Sequence, residues 1–193
     1  MDRGPLIIVS GPSGSGKSTV IRRLLAESKR PLRLSVSATT RPPRPGEVDG
    51  VDYHFWCRER FAEAVRAGEF LEWAEVHGRC YGTLRQEVEP FRQRGVGVIL
   101  DIDVQGAAEV RRRCPDNVSV FLRASSPAAY EERLRRRGTE SEATIQQRLA
   151  AGAGELARAG EYDEQVSNDN LDEAVAAVGA IVARQWERGK HAG

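Results

Sequence analysis

Lysine is almost missing from this chain. Lys17, Lys29 and Lys190 are the only three among 29 basic residues. Arginine therefore carries nearly all the positive charge, and Lys17 is one of very few ammonium groups. Cysteine is also scarce. Cys57, Cys80 and Cys114 are odd in number, far apart and without metal-ligand spacing. That excludes a disulfide scaffold and a structural zinc centre, and it fits free thiols in a reducing compartment. Long apolar runs are absent. The stretch 6–9 ahead of a glycine loop is too short for a signal peptide or a membrane span, so a cytoplasmic protein with no membrane partner is expected. The glycosylation sequon Asn117-Val118-Ser119 then goes unused. An excess of one charge sign is lacking too: the net charge of +1 gives no basic field for nucleic acid.

What is present suits one folded unit. The 193 residues are 40% hydrophobic and 30% charged, enough for a sizeable core. Residues 6–10 are apolar and β-branched between Pro5 and Gly11, which predicts a buried parallel strand. Residues 17–27 place Val20, Ile21, Leu24 and Leu25 at helical spacing. A second strand is expected at 32–37 and a proline- and glycine-rich loop at 41–50. From 51 to 83 the pattern changes to short antiparallel strands at 53–56, 70–76 and 79–83 with a helix at 59–66. Strands at 96–101, 118–122 and 165–167 then alternate with helices at 84–94, 105–113 and 171–186. Pro127 opens a helix running to Arg137, Gly138 stops it, and a second helix at 141–159 is weakened by Gly152 and Gly154. The expected class is α/β: a mainly parallel sheet with helices on both faces, interrupted by an α+β lobe.

Gly11-Pro12-Ser13-Gly14-Ser15-Gly16-Lys17-Ser18 satisfies G-x-x-x-x-G-K-[ST] in full, between a strand and a helix. Glycines let successive N–H groups point at phosphate oxygens, and the helix directs its positive end to the same place. Lys17 would reach the β- and γ-phosphates of a nucleoside triphosphate. The Ser18 hydroxyl would ligate Mg²⁺, a hard ion that prefers oxygen. Asp101 closes the apolar strand 98–101, where open α/β sheets place ligands, and would act near the metal through water.

Arg41 and Arg44 are three apart in a proline-rich loop. A polyproline path has three residues per turn, so both guanidinium forks can face one phosphate. In 70–76, alternation puts Phe70, Glu72, Ala74 and Val76 on one face. An acid among apolar neighbours needs a partner. A carboxylate can accept N1–H and N2–H₂ of guanine together, and it repels adenine, which presents an acceptor at N1.

The stretches GPSGSGKST, SATTRPPRPGEVDGVDYHF, GEFLEWAEVHGRCYGT, ILDIDVQG and RRRGTES stand in the order and spacing of the guanylate kinase family. The chain resembles that family over nearly its whole length. The resemblance implies a P-loop nucleoside monophosphate kinase fold with its core at 1–36, 84–126 and 151–193. A GMP-binding lobe at 37–83 and a helical lid at 127–150 complete it. It implies ATP and Mg²⁺ as cofactors, GMP and dGMP as acceptors, and no obligate protein partner. Gly11 to Ser18 with Thr19, Arg133, Arg137 and Asn168 would hold ATP. Arg41, Arg44, Tyr53 and Tyr81 would hold the GMP phosphate, and Ser37, Glu72, Thr83 and Asp103 would read guanine beside Asp101. Lys17, Arg41, Arg44, Arg137 and Arg148 would neutralise the transferring group. Small departures are Asn170 in place of an acid, Cys80 in place of an aromatic, and Thr83 in place of serine. A scaffold module would have lost the P-loop, and a kinase of sugar phosphates would not need the base-reading acids. An NTPase acting on nucleic acid is disfavoured by the near-zero net charge.

Overall fold

Strand β1, Leu6–Ser10, is buried at every position, as a strand with neighbours on both edges and helices on both faces must be. The structure is a computed structural model that describes residues 3–76, 78–136 and 142–191. Along β1 the side chains alternate between two cores. Ile7 and Val9 join one cluster and Leu6 and Ile8 the other, as a period of two demands. The first core takes Val20, Ile21 and Leu24 of helix α1 (Lys17–Glu27) and Val175, Val178 and Val182 of helix α7 (Leu171–His191). The second takes Val88 of α3 (Arg85–Gln93) and Val104, Ala107 and Val110 of α4 (Val104–Arg113).

The main sheet holds β2 (Leu32–Leu34), β7 (Gly97–Asp101), β1, β8 (Asn117–Arg123) and β9 (Glu164–Ser167), in that spatial order and all parallel. β1 is central, so the loop after it and the end of β7 beside it open at the same edge. That is where α/β sheets bind ligands.

A second sheet of four strands forms the lobe, in the order β4 (His54–Phe55), β3 (Ala38–Thr39), β6 (Arg79–Leu84), β5 (Phe70–Val76). Helix α2, Arg58–Arg66, covers it, and Phe61 stacks on Phe70 at 4.5 Å in a small core of its own. Two expectations are corrected here. The segment at 53–56 does not pair antiparallel: β4 lies parallel to β3, Ala38 beside His54. The loop between them, pinned by Gly50 N–H on the Tyr53 carbonyl at 2.8 Å, carries the chain back so that both strands run the same way. Nor does Phe70 share a face with Glu72. The register slips between them, and a bulge of this kind turns the following residues over. Phe70 and Trp73 both pack on Phe61, while Glu72, Ala74 and Val76 face a cavity.

After β8 come α5 (Pro127–Arg136) and α6 (Glu142–Ala157). The glycines do not break α6: Gly152 is buried against the glycine loop, where a Cβ would meet Pro12 Cβ at 3.4 Å, an ordinary contact. A 3-10 turn at Ala159–Glu161 leads into β9. No described helix is long and apolar enough to cross a membrane.

Candidate nucleotide site

Between β1 and α1 the chain makes a tight loop around glycines. Gly16 has φ of 89°, a left-handed value that favours glycine, and it begins α1 with no side-chain cap. The orphan N–H groups of the first turn are thus left for an anion. Lys17 Nζ spans the mouth of the loop and donates to the Gly11 carbonyl at 2.6 Å. From behind, Asn168 Nδ2 donates to the Ser15 carbonyl at 2.7 Å, and Arg133 donates to the Asn168 carbonyl at 2.6 Å. Ser15 itself is fully buried.

On one side of this loop lies a cavity of about 500 Å³, within the range of small-ligand sites. Its wall brings together Gly11, Ser13 and Lys17 with Ser37, Arg41, Arg44, Tyr53, Glu72, Tyr81, Asp101 and Asp103, and with Arg148 and Glu155 of α6. The residues predicted for one acceptor nucleotide, drawn from five separate stretches, thus surround one space. Thr83 is the exception. It is fully buried behind the wall, and its Oγ1 donates to Glu72 Oε1 at 2.6 Å.

The chemistry differs from end to end. At the outer end Arg41 forms a paired fork with Glu47, at 2.9 and 2.8 Å, and Glu47 also accepts from the Arg44 N–H at 2.6 Å. That guanidinium hydrogen bond, aided by the Arg44 N–H, holds the Glu47 carboxyl below the usual range. Tyr53 and Tyr81 meet edge to face at 6.2 Å. Burial, with help from the Asp101 charge, pushes the Tyr53 hydroxyl up to about 12, so it stays a neutral donor.

At the inner end Glu72 is 4% exposed. Burial pushes its carboxyl up to about 7, the Thr83 hydrogen bond opposes that, and the Asp103 charge adds to it. Asp103 caps α4: its Oδ1 accepts from the N–H groups of Gln105 at 3.1 Å and Gly106 at 2.8 Å. Burial also raises Glu155, against the pull of Lys17.

Ser18 Oγ donates to Asp101 Oδ2 at 3.3 Å. These are two hard oxygens at the phosphate loop. Among the described residues no cluster of three or more His, Cys, Asp or Glu could hold a metal unaided. The pair fits a cation that keeps water and phosphate as its other ligands, which is the habit of Mg²⁺.

On the far side of the loop a second cavity of about 360 Å³ is lined by Gly14, Gly16, Thr19, Arg133, Arg136, Asn168, Asp169 and Leu171. The lid arginines therefore divide. Arg148 faces the first cavity and Arg133 the second, while Arg137 lies outside the described residues. Glu155 and Glu47 were not singled out by sequence. One signal was available: Arg148 and Glu155 are seven apart on α6, two helical turns on one face.

This loop, this sheet and a lobe set across its mouth define a P-loop kinase of the nucleoside monophosphate kinase type. The family model for guanylate kinase matches residues 3–185. A guanylate kinase of Rubrobacter xylanophilus is 52% identical over 174 residues, covering 90% of this chain and 91% of that one. One from Symbiobacterium thermophilum is 49% identical, covering 96% and 88%. The crystal structure of guanylate kinase from Anaplasma phagocytophilum superposes with a TM-score of 0.78 at 33% identity, covering 96% of this chain and 87% of that one. The chain belongs to the guanylate kinase family.

Proposed function

We propose that the protein transfers the γ-phosphoryl group of ATP to GMP, and to dGMP, giving GDP and ADP. One observation carries the reading of the site. A single cavity has two arginines and two tyrosines at one end, two acids at the other, and opens onto Lys17. The placing of its cationic and acidic groups suits a nucleoside monophosphate with its phosphate at the arginines and its base at the acids.

In this reading Glu72 accepts the N1–H and N2–H₂ of guanine with Asp103 beside it, and Ser37 donates to O6. Thr83 acts from behind by fixing Glu72. Arg41, Arg44, Tyr53 and Tyr81 hold the phosphate, with Glu47 orienting the Arg41 fork before the ligand arrives. The acceptor oxygen is already anionic near neutral pH, so no general base is needed. The work is positioning and neutralisation. Lys17 leaves the Gly11 carbonyl for the β- and γ-oxygens, and the open N–H groups of α1 share that charge. Ser18, with Asp101 through water, would hold Mg²⁺, which supplies charge neutralisation between the phosphates when bound. Arg133 and Asn168 serve the ATP side, and Arg148, joined by Arg137, covers the transferring group. The core, the lobe at 37–83 and the lid at 127–150 then close around the two nucleotides and exclude water.

An acceptor screen tests this directly. With ATP and Mg²⁺, the purified protein is expected to phosphorylate GMP and dGMP. AMP, CMP and UMP should be poorer by ~10⁴ in kcat/KM, since a mismatched base leaves buried acids unpaired. Equal use of AMP would overturn the reading.

A further inference from the structure

Gly106 sits in the first turn of α4, buried and pointing at the acid end of the acceptor cavity. Its backbone is ordinary: it is not among the glycines with positive φ. Within a helix, glycine is disfavoured against alanine, so something else must account for the missing side chain. Geometry supplies the reason. A Cβ at this position would stand 2.6 Å from Glu72 Oε2, 3.0 Å from Glu72 Cδ and 3.4 Å from Asp103 Oδ1.

Glu72 has no way to step aside. Its Oε1 is held by Thr83 at 2.6 Å. The strand that carries it is anchored one residue earlier, where Leu71 is 1% exposed in the second core and its carbonyl accepts from Arg113 at 2.8 Å. Asp103 is equally fixed, by the N–H of Gly106 itself. Two carboxylates, one from the lobe and one from the core, thus converge on a point that only a hydrogen atom can occupy.

We propose that Gly106 is a positioning residue for base selection: by omitting a side chain it lets Glu72 and Asp103 share one wall of the pocket. The preference for a purine offering two adjacent N–H donors then depends on position 106 as well as on the acids. The inference rests on the base-reading role of Glu72 proposed above.

A four-member cycle tests it: the parent, Gly106→Ala, Glu72→Asp and the double variant, each assayed for KM and kcat with GMP, AMP and ATP. In the parent background, Gly106→Ala is expected to raise the KM for GMP about tenfold, the cost of one displaced charged hydrogen bond. The KM for ATP should stay within about twofold, because the P-loop is untouched. Shortening the acid makes room for the methyl group, so the double variant should match Glu72→Asp alone within about twofold in GMP KM. If Gly106→Ala cannot fold, Glu72→Asp is expected to restore a cooperative melt, and the comparison of double with single acid variant still stands. Gly106→Ala without effect on GMP, or with the same cost in both backgrounds, overturns the proposal alone. A Glu72→Ala variant, assayed beside the cycle, that keeps the parent's preference for GMP over AMP removes the base-reading role, and this proposal with it.

Discussion

The two halves of the candidate site are made of different materials. The P-loop end is mostly backbone: glycines, the uncapped first turn of α1, and one ammonium parked on a carbonyl 2.6 Å away. The base end is all side chain, with Glu72 and Thr83 from the lobe, and Asp103 from the turn ahead of α4. A backbone device needs consecutive residues, because neighbouring N–H groups must converge. A side-chain device needs only that distant strands meet. In the proposed reading the first binds any triphosphate, and the second chooses among bases.

The largest expected effect breaks the backbone end. Lys17→Met removes the one mobile cation of the loop and should lower kcat by ~10³ or more, as loss of a charge-neutralising group does in phosphoryl transfer. Preference for GMP over AMP in the residual activity should survive, since the base end is intact. Arg44→Ala should cost roughly 10² in kcat/KM for every acceptor, because it touches phosphate and not base. A Lys17→Met variant that lost base preference would show the two ends to be one device. Steady-state assays with both acceptors decide it.

The second effect acts at the base end and depends on pH. Glu72 is raised to about 7 against an ordinary 4.5. A raised acid favours its protonated form, so the ligand-free protein gains stability as pH falls through this window and loses it as pH rises. Guanine asks for the opposite state, since its N–H groups need an ionised acceptor. The KM for GMP should therefore rise as pH falls below about 7, by up to about tenfold per unit, with ATP unaffected. The GMP phosphate also titrates nearby, with a second pKa of about 6. Glu72→Gln separates the two: its profile should keep only the phosphate contribution. Identical slopes in parent and Glu72→Gln would remove Glu72 from the account. Asp103 and Glu109 are the other acids that bear on Glu72.

The same contrast explains what could be read from the letters alone. The P-loop is contiguous, so eight residues and their flanks sufficed for loop, strand and helix. The apolar run 6–10 read as a buried parallel strand, but which of its residues faced which core came only with the fold. The acceptor site was reached from the spacing of Arg41 and Arg44 and from an acid in an apolar strand. Most of its other members came through likeness to a family. Spacing could not show that a bulge after Phe70 turns Glu72 to the cavity, or that Thr83 stands behind it. Nor could it show that β4 runs parallel to β3, since pairing direction depends on where a long loop returns. Glu155 and Gly106 matter only through what faces them from another element, and that is a property of the fold.

The smallest effect asks whether the backbone end is itself supported by side chains. Asn168, 6% exposed, donates to the Ser15 carbonyl at 2.7 Å and lines the second cavity, which the proposal gives to ATP. In Asn168→Ala that carbonyl keeps only the longer bond from Arg133 at 3.4 Å, at a net cost of about 1 kcal/mol. If the loop is held to shape from behind, the KM for ATP should rise severalfold while the KM for GMP stays put, because the acceptor cavity lies across the loop. A rise in both would mean that the loop's shape is communicated to the acceptor wall through Gly11 and Lys17, which line it. Binding of each nucleotide alone, measured by calorimetry on the variant, separates these outcomes without turnover.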